Sequence, residues 1–260
     1  MSEYGCYVET ARAVAARAAH FIRGKFLGAF EVKHKSPSEL VTAVDHHSEE
    51  MIVRALAHAY PDHAVTAEEG TARPGASFRW WVDPLDGTNN FAHGYPMVAV
   101  SLALEHEGRV VAGVVWDVLA DEGFWGERGG GAWCDRSRLR VSEAEKLASS
   151  LVSTGFPYDK HESTIDNMLN FARVTKRVQG VRRGGSAALD LAWVAAGRLD
   201  GFWELKLAPW DTAAGTLLVT EAGGRVSRFD GSSYTPGVID VVATNGLIHN
   251  ELASLLRLEG

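Results

Sequence analysis

The chain has 260 residues, 46% hydrophobic and 23% charged, with 27 Gly, 8 Pro and a formal net charge of -7. Such a composition belongs to a folded globular protein with room for a large core and excludes a disordered or fibrous chain. The acidic balance, without any basic run, also argues against a surface that coats nucleic acid, which needs excess Lys and Arg to displace counterions.

From Glu3 to about Phe26, Val8, Ala11, Ala15, Ala18 and Ile22 recur at spacings of three and four among strong helix formers, which predicts an amphipathic helix. A second helix is expected from about His46 to Tyr60, stopped by Pro61-Asp62. Ala64-Val65-Thr66-Ala67 then reads as a short strand delivering Glu68 and Glu69. Phe78 to Val82 is a further strand with Asp83 just beyond it, and the apolar runs Met97 to Leu104 and Arg109 to Trp116 form a hairpin about Glu107-Gly108. A Gly-rich meander follows over 123–131.

After the polar segment Ser142 to Lys146 the rhythm changes. Strands near 151–154, 200–203 and 240–244 alternate with helices near 163–178, 186–197 and 212–222, an α/β pattern, and a last helix is expected from about Ile248 to Leu256. The chain therefore divides into an α+β lobe over 1–146 and an α/β lobe over 147–260.

Cys6 and Cys134 are the only cysteines and have no zinc-ligand spacing, so reduced thiols are expected. Glu3 and Glu9 stand where a secretory signal would be basic and then apolar, and no stretch reaches membrane-spanning length. A cytoplasmic protein, without membrane or nucleic-acid partners, is the expectation.

The chemistry concentrates in Asp83-Pro84-Leu85-Asp86-Gly87-Thr88-Asn89-Asn90-Phe91. Pro84 fixes its own φ and biases Asp83 towards an extended shape, presenting two aspartates side by side at a strand end. Carboxylates so close repel unless a cation intervenes, and hard oxygen donors suit Mg²⁺. Gly87 and Thr88 would open the next helix or turn with exposed N–H groups suited to a phosphate. An Asp near Pro and Gly is also an ordinary turn or cap residue. Three other acidic positions weigh against that reading: Glu68-Glu69 at a strand end, Asp211 at the start of a helix, and Glu204 closing Gly201-Phe202-Trp203. Acidic groups thus collect at element ends, where open α/β proteins place ligands.

Trp81 to Phe91, together with Trp210-Asp211-Thr212-Ala213-Ala214-Gly215, resembles the two signatures of the inositol-monophosphatase family, part of the lithium-sensitive, metal-dependent sugar-phosphatase superfamily. Ala67-Glu68-Glu69-Gly70, Leu40 to Asp45 and Gly184-Gly185-Ser186-Ala187-Ala188 match further family elements in order, so the resemblance covers nearly the whole chain. It implies a layered αβαβα sandwich and usually a homodimer; the charge of the site, counted below, leads us to expect two or three Mg²⁺. The resemblance also implies that Glu68, Asp83, the Leu85 carbonyl, Asp86 and Asp211 bind metal. Thr88, assisted by Glu68 and hydrogen-bonded to Asp45, would orient the attacking water. Gly87 and Thr88 would hold the phosphate, and Ala187 and Glu204 would line the alcohol side; Asp86 and Asp211 also face the substrate. His34 stands where some members carry a lysine.

A phosphate monoester carries about -2 near neutral pH, and four ionised carboxylates add about -4, so substrate needs cations to approach. Among superfamily substrates, Glu204 favours an inositol monophosphate, whereas Arg182 and Arg183 favour a bisphosphate such as fructose 1,6-bisphosphate; 3′-phosphoadenosine 5′-phosphate and histidinol phosphate complete the range of candidate substrates. A non-catalytic binding protein on the same fold is the rival of a different class. A dinucleotide enzyme is disfavoured because Gly129-Gly130-Gly131 and Gly184-Gly185 lack the G-x-G-x-x-G spacing.

Overall fold

A computed structural model describes residues 3–28, 32–36 and 39–258, the side chains of 34–36 excepted. The first helix, α1 (Gly5–Lys25), buries Val8, Ala11, Ala15, Ala18 and Ile22, the predicted stripe. A two-stranded ribbon, β1 (Val32–Ser36) and β2 (Glu39–Thr42), leads into α2 (Ala43–Ala59). Thr42 caps α2: its side chain accepts from the Val44 N–H while Asp45 accepts from the Thr42 N–H at 2.8 Å. Strands β3 (Ala64–Ala67), β4 (Ala72–Arg73) and β5 (Phe78–Asp86) follow, then the short helix α3 (Thr88–His93). The meander consists of β6 (Ala99–His106), β7 (Arg109–Asp117), β8 (Glu122–Glu127), β9 (Gly131–Cys134) and β10 (Ser137–Arg138).

These strands make one eight-stranded sheet in the order β10-β9-β8-β7-β6-β5-β3-β4, antiparallel except where β3 runs parallel to β5. Contrary to the expectation that the fifth strand stops before Asp83, β5 runs through to Asp86 with a register irregularity between the two aspartates. Pro84 has no N–H for the ladder, so the strand bulges there instead of ending.

The remaining elements are β11 (Leu151–Thr154), α4 (Met168–Thr175), β12 (Gly180–Arg182), α5 (Ala187–Ala195), β13 (Gly201–Leu205), α6 (Pro209–Glu221), β14 (Arg225–Ser227), β15 (Asp240–Thr244) and α7 (His249–Leu255). Their sheet has the order β12-β11-β13-β15-β14. Glu204 lies inside β13, paired with Val241, not at its end as expected.

The layers follow from alternation along the strands. In β6, Val100, Leu102 and Leu104 join the core under α1 and α2, whereas Ala99 and Ala103 face the core of α5 and α6. In β15, Val241 and Ala243 face α5 and α6 from the other side, and Val242 meets the core of α4 and α7. The result is the layered αβαβα sandwich expected, with α5 and α6 buried between the sheets. No helix among the described residues is long and apolar enough to cross a membrane.

The helix expected over 163–178 is shorter than predicted because Asn167 is used elsewhere. It holds φ +74°, its amide donates to Thr154 Oγ1 (2.9 Å) and the Gly155 carbonyl (2.7 Å), and its oxygen accepts from Trp203 Nε1 (2.9 Å). A residue bound in this way to two strands cannot also continue a helix. Asn167→Ala removes three buried hydrogen bonds at a left-handed position and leaves Trp203 Nε1 without a partner, and is expected to cost about 2 to 4 kcal/mol in urea unfolding. A loss under about 1 kcal/mol would show that water replaces the amide.

Candidate active site

A cavity of about 450 Å³ opens where the ends of β3, β5 and β13 meet the first turns of α3, α5 and α6. Glu68, Asp83, Leu85, Asp86, Gly87, Thr88, Ala187, Glu204 and Asp211 all line it, so one space gathers these residues from four regions of the sequence. Asp45 lies just behind Thr88.

Three of the carboxylates use one oxygen to hold the fold. The Leu85 N–H donates to Asp83 Oδ1 at 3.0 Å, and the Ala208 N–H to Asp211 Oδ2 at 2.8 Å. Asp86 Oδ2 accepts from Ser186 Oγ (2.5 Å) and the Ala188 N–H (2.8 Å), which ties β5 to the start of α5. The turn and cap reading is therefore correct for one oxygen of Asp83 and of Asp211, whereas Asp86 caps a helix a hundred residues away, not its own turn. Asp211 is the third residue of α6, one turn further in than expected, because Pro209 starts the helix with its φ already set.

The same carboxyl groups repel one another. Burial, and after it the charges of Glu68, Asp86 and Asp211, raise Asp83 well above the usual carboxylate range; its carboxyl is also hydrogen-bonded to that of Glu68. Asp211 is raised likewise, by burial and then by Glu68 and Asp86, with the Ala208 N–H opposing. Asp86 is pushed up to about 6 by burial, against the bonds from Ser186 and Ala188. Among the described residues no three His, Cys, Asp or Glu side chains already close around a single point. Hard oxygen donors that repel one another across an open cavity nevertheless form a set that a divalent cation stabilises, so these residues fit Mg²⁺.

Thr88 opens α3 from Gly87, whose φ is +91°. A Cβ at Gly87 would lie 2.7 Å from the Met97 carbonyl oxygen, so only glycine fits this turn. The Thr88 hydroxyl donates to Asp45 Oδ1 at 2.7 Å and lies 3.1 Å from the Leu85 carbonyl. Asp45 Oδ2 accepts from both the N–H and the hydroxyl of Thr42 (2.8 and 2.5 Å). Asp45 is fully buried and holds the Thr88 hydrogen, so the Thr88 oxygen is left to act as an acceptor.

On the opposite side, Glu204 is 9% exposed and pushed up to about 8 by burial, with Arg183 opposing and Asp86 adding. Sequence reasoning missed Ser48 and Glu49. Ser48 Oγ donates to the Pro84 carbonyl at 2.9 Å; Glu49 accepts from the Glu69 N–H (2.7 Å) and Thr71 (2.5 Å to its hydroxyl), fixing the loop that carries Glu68. The signal was present: Asp45, Ser48 and Glu49 recur at three and four residues on the buried face of α2, where apolar residues belong. Ser186 and Asn90 were also missed. The Asn90 amide donates to the Met97 (2.8 Å) and Gly184 (2.9 Å) carbonyls, pinning the second Gly-rich turn to the first. The His34 side chain lies outside the described residues.

The family model described as the Inositol monophosphatase family matches residues 4–259. The Nus factor SuhB of Pseudomonas aeruginosa is 48% identical over 79% of this chain and 78% of its own length. An inositol-1-monophosphatase of Mesorhizobium japonicum is 44% identical over 87% and 86%. The solved inositol monophosphatase of Anabaena (Nostoc) sp. superposes with a TM-score of 0.90 at 37% identity, covering 100% of this chain and 98% of that one.

Proposed function

Because this chain belongs to the inositol monophosphatase family, a family of metal-dependent phosphoric monoester hydrolases, we propose that it is an Mg²⁺-dependent phosphatase of small phosphate monoesters, with inositol monophosphate as its preferred substrate. The observation that carries this reading is the assembly, around one cavity, of four acidic groups and a Thr88 hydroxyl whose hydrogen is held by a buried aspartate.

Glu68, Asp83, Asp86, Asp211 and the Leu85 carbonyl would hold two or three Mg²⁺. Bound there, the cation supplies counter-charge and Lewis acidity. Thr88 accepts a hydrogen bond from the attacking water, and Glu68 offers that water a second acceptor, which orients it in line with the leaving oxygen. The Thr88 N–H, first in its helix and without an intrahelical acceptor, holds the phosphate together with the Gly87 N–H. Ala187 and Glu204 face the departing alcohol. The homodimer that the resemblance implies belongs to the same reading and is checked by sedimentation equilibrium.

Phosphate release from inositol 1-phosphate, fructose 1,6-bisphosphate, 3′-phosphoadenosine 5′-phosphate and histidinol phosphate, with Mg²⁺ and with chelator, tests the proposal. Inositol 1-phosphate is expected to give the highest kcat/KM, and only with Mg²⁺. Phosphate release that survives chelation, or none from any substrate, would overturn it.

Glu204 is expected to read hydroxyls. Burial pushes its carboxyl up to about 8, whereas Arg183 and the cations held beside it would favour the ionised form, which accepts from hydroxyls and repels a second phosphate. Glu204→Gln should raise KM for inositol 1-phosphate roughly tenfold, about 1.5 kcal/mol, with Mg²⁺ affinity near wild type. Weakened Mg²⁺ with an unchanged KM would move Glu204 into the metal shell.

A further inference from the structure

The alcohol side of the cavity carries a second charged side chain, Arg183, which no role above uses. It follows β12, whose last residue is Arg182. As expected for neighbours on an extended chain, the two diverge: Arg183 lines the cavity, whereas Arg182 lies outside its lining and donates to the Val181 carbonyl. Among the described residues the Arg183 guanidinium has no hydrogen-bond or ion-pair partner.

Local backbone geometry makes room for it. Gly185 holds φ +85°, and a Cβ there would lie 2.6 Å from Arg183 Nη1. Asn90 fixes this turn through the Gly184 carbonyl. Opposite, a Cβ at Gly155 would collide with the Glu204 carboxylate. The two glycines thus clear space for an arginine and a glutamate that face one end of the cavity. Behind them lies Asp190 of α5, 2% exposed, whose Oδ1 has no partner among the described residues. Arg183 lowers both Glu204 and Asp190, so its charge is felt by both acids.

We propose that Arg183 is a specificity-determining residue, whose guanidinium donates to hydroxyl oxygens of the leaving polyol and forms with Glu204 a donor and acceptor pair that selects ring-polyol phosphates over simpler phosphate esters. The inference rests on reading the site as a polyol-phosphate phosphatase. Hydroxyls are favoured over a second phosphate because the Glu204 carboxylate faces the same end of the cavity: it would repel a second phosphate, yet it leaves the Arg183 N–H donors free for hydroxyls.

Arg183→Gln and Arg183→Lys, assayed with Mg²⁺ on inositol 1-phosphate, p-nitrophenyl phosphate and fructose 1,6-bisphosphate, test it. For Arg183→Gln, KM for inositol 1-phosphate should rise roughly tenfold with kcat within about twofold, as for a lost charged donor. Both parameters for p-nitrophenyl phosphate, whose leaving group carries no hydroxyls, should stay at wild type. Arg183→Lys should recover part of the KM. Equal loss on p-nitrophenyl phosphate would show that Arg183 acts on the phosphate or the fold, and loss confined to fructose 1,6-bisphosphate would make it a second-phosphate site; either overturns the proposal. So does an unchanged KM for inositol 1-phosphate, which leaves the phosphatase reading intact. A wild-type protein that cleaves p-nitrophenyl phosphate but not inositol 1-phosphate removes the polyol reading and this inference with it.

Discussion

Asp86→Asn is expected to leave a folded protein whose turnover falls about 10³-fold, a loss of roughly 4 kcal/mol of transition-state stabilisation, within what a catalytic cation supplies. The fold should survive because the structural work of Asp86 needs only one acceptor oxygen. An amide oxygen can still take the Ser186 hydroxyl and the Ala188 N–H that Asp86 Oδ2 now accepts. What disappears is a negative charge among buried acids that already repel one another. Two thermal readouts separate this from simple misfolding. Mg²⁺ should raise the unfolding temperature of the wild type by relieving that repulsion, while the variant should unfold without metal at or above the wild-type temperature and gain less from Mg²⁺. Near-wild-type turnover at ordinary Mg²⁺ would remove Asp86 from the proposed metal set.

Thr88→Val should lower kcat by about 10² to 10⁴, the range for loss of a group that positions the reacting water for its proton transfer. The two side chains are close in volume, so packing changes little and the hydroxyl is the variable. Its loss also leaves the fully buried Asp45 Oδ1 without its donor, which adds an expected stability cost of about 1 to 3 kcal/mol. Thr88→Ser keeps the hydroxyl and should recover most of the rate. Steady-state kinetics at saturating Mg²⁺ decide the matter. If Val and Ser variants are equally active, the bond between Thr88 and Asp45 only braces the turn from β5 into α3.

Much of this architecture was legible locally. The three-and-four spacing of Val8 to Ile22 specified α1, because a helix facing one core repeats its apolar residues with its own period, and two continuous apolar runs about Glu107-Gly108 specified the hairpin of β6 and β7, strands buried on both faces. Asp83 and Asp86 were legible for a similar reason, since Pro84 and Gly87 act on adjacent residues. Local rules failed where a side chain was claimed from a distance. Asn167 reads as a helix residue until Trp203 and Gly155 take its amide, and the partner of Glu49, the loop after Glu68, lies 20 residues further along the chain.

The sequence by itself singled out the candidate site residues that line the cavity: the paired aspartates about Pro84, the glycine before Thr88, and the acids at 68, 204 and 211. Only the tertiary structure decided which of them meet. Glu68 reaches Asp83 because β3 lies parallel to β5 with Ala67 beside Val82. Asp86 reaches Ser186 across 100 residues, and Arg183 shares a cavity wall with Glu204 because β12, β11 and β13 share a sheet. Propensity and periodicity act over a few residues through backbone sterics and one buried face. The meeting of two carboxylates is instead set by strand order and by burial from distant elements, which no short window of sequence contains.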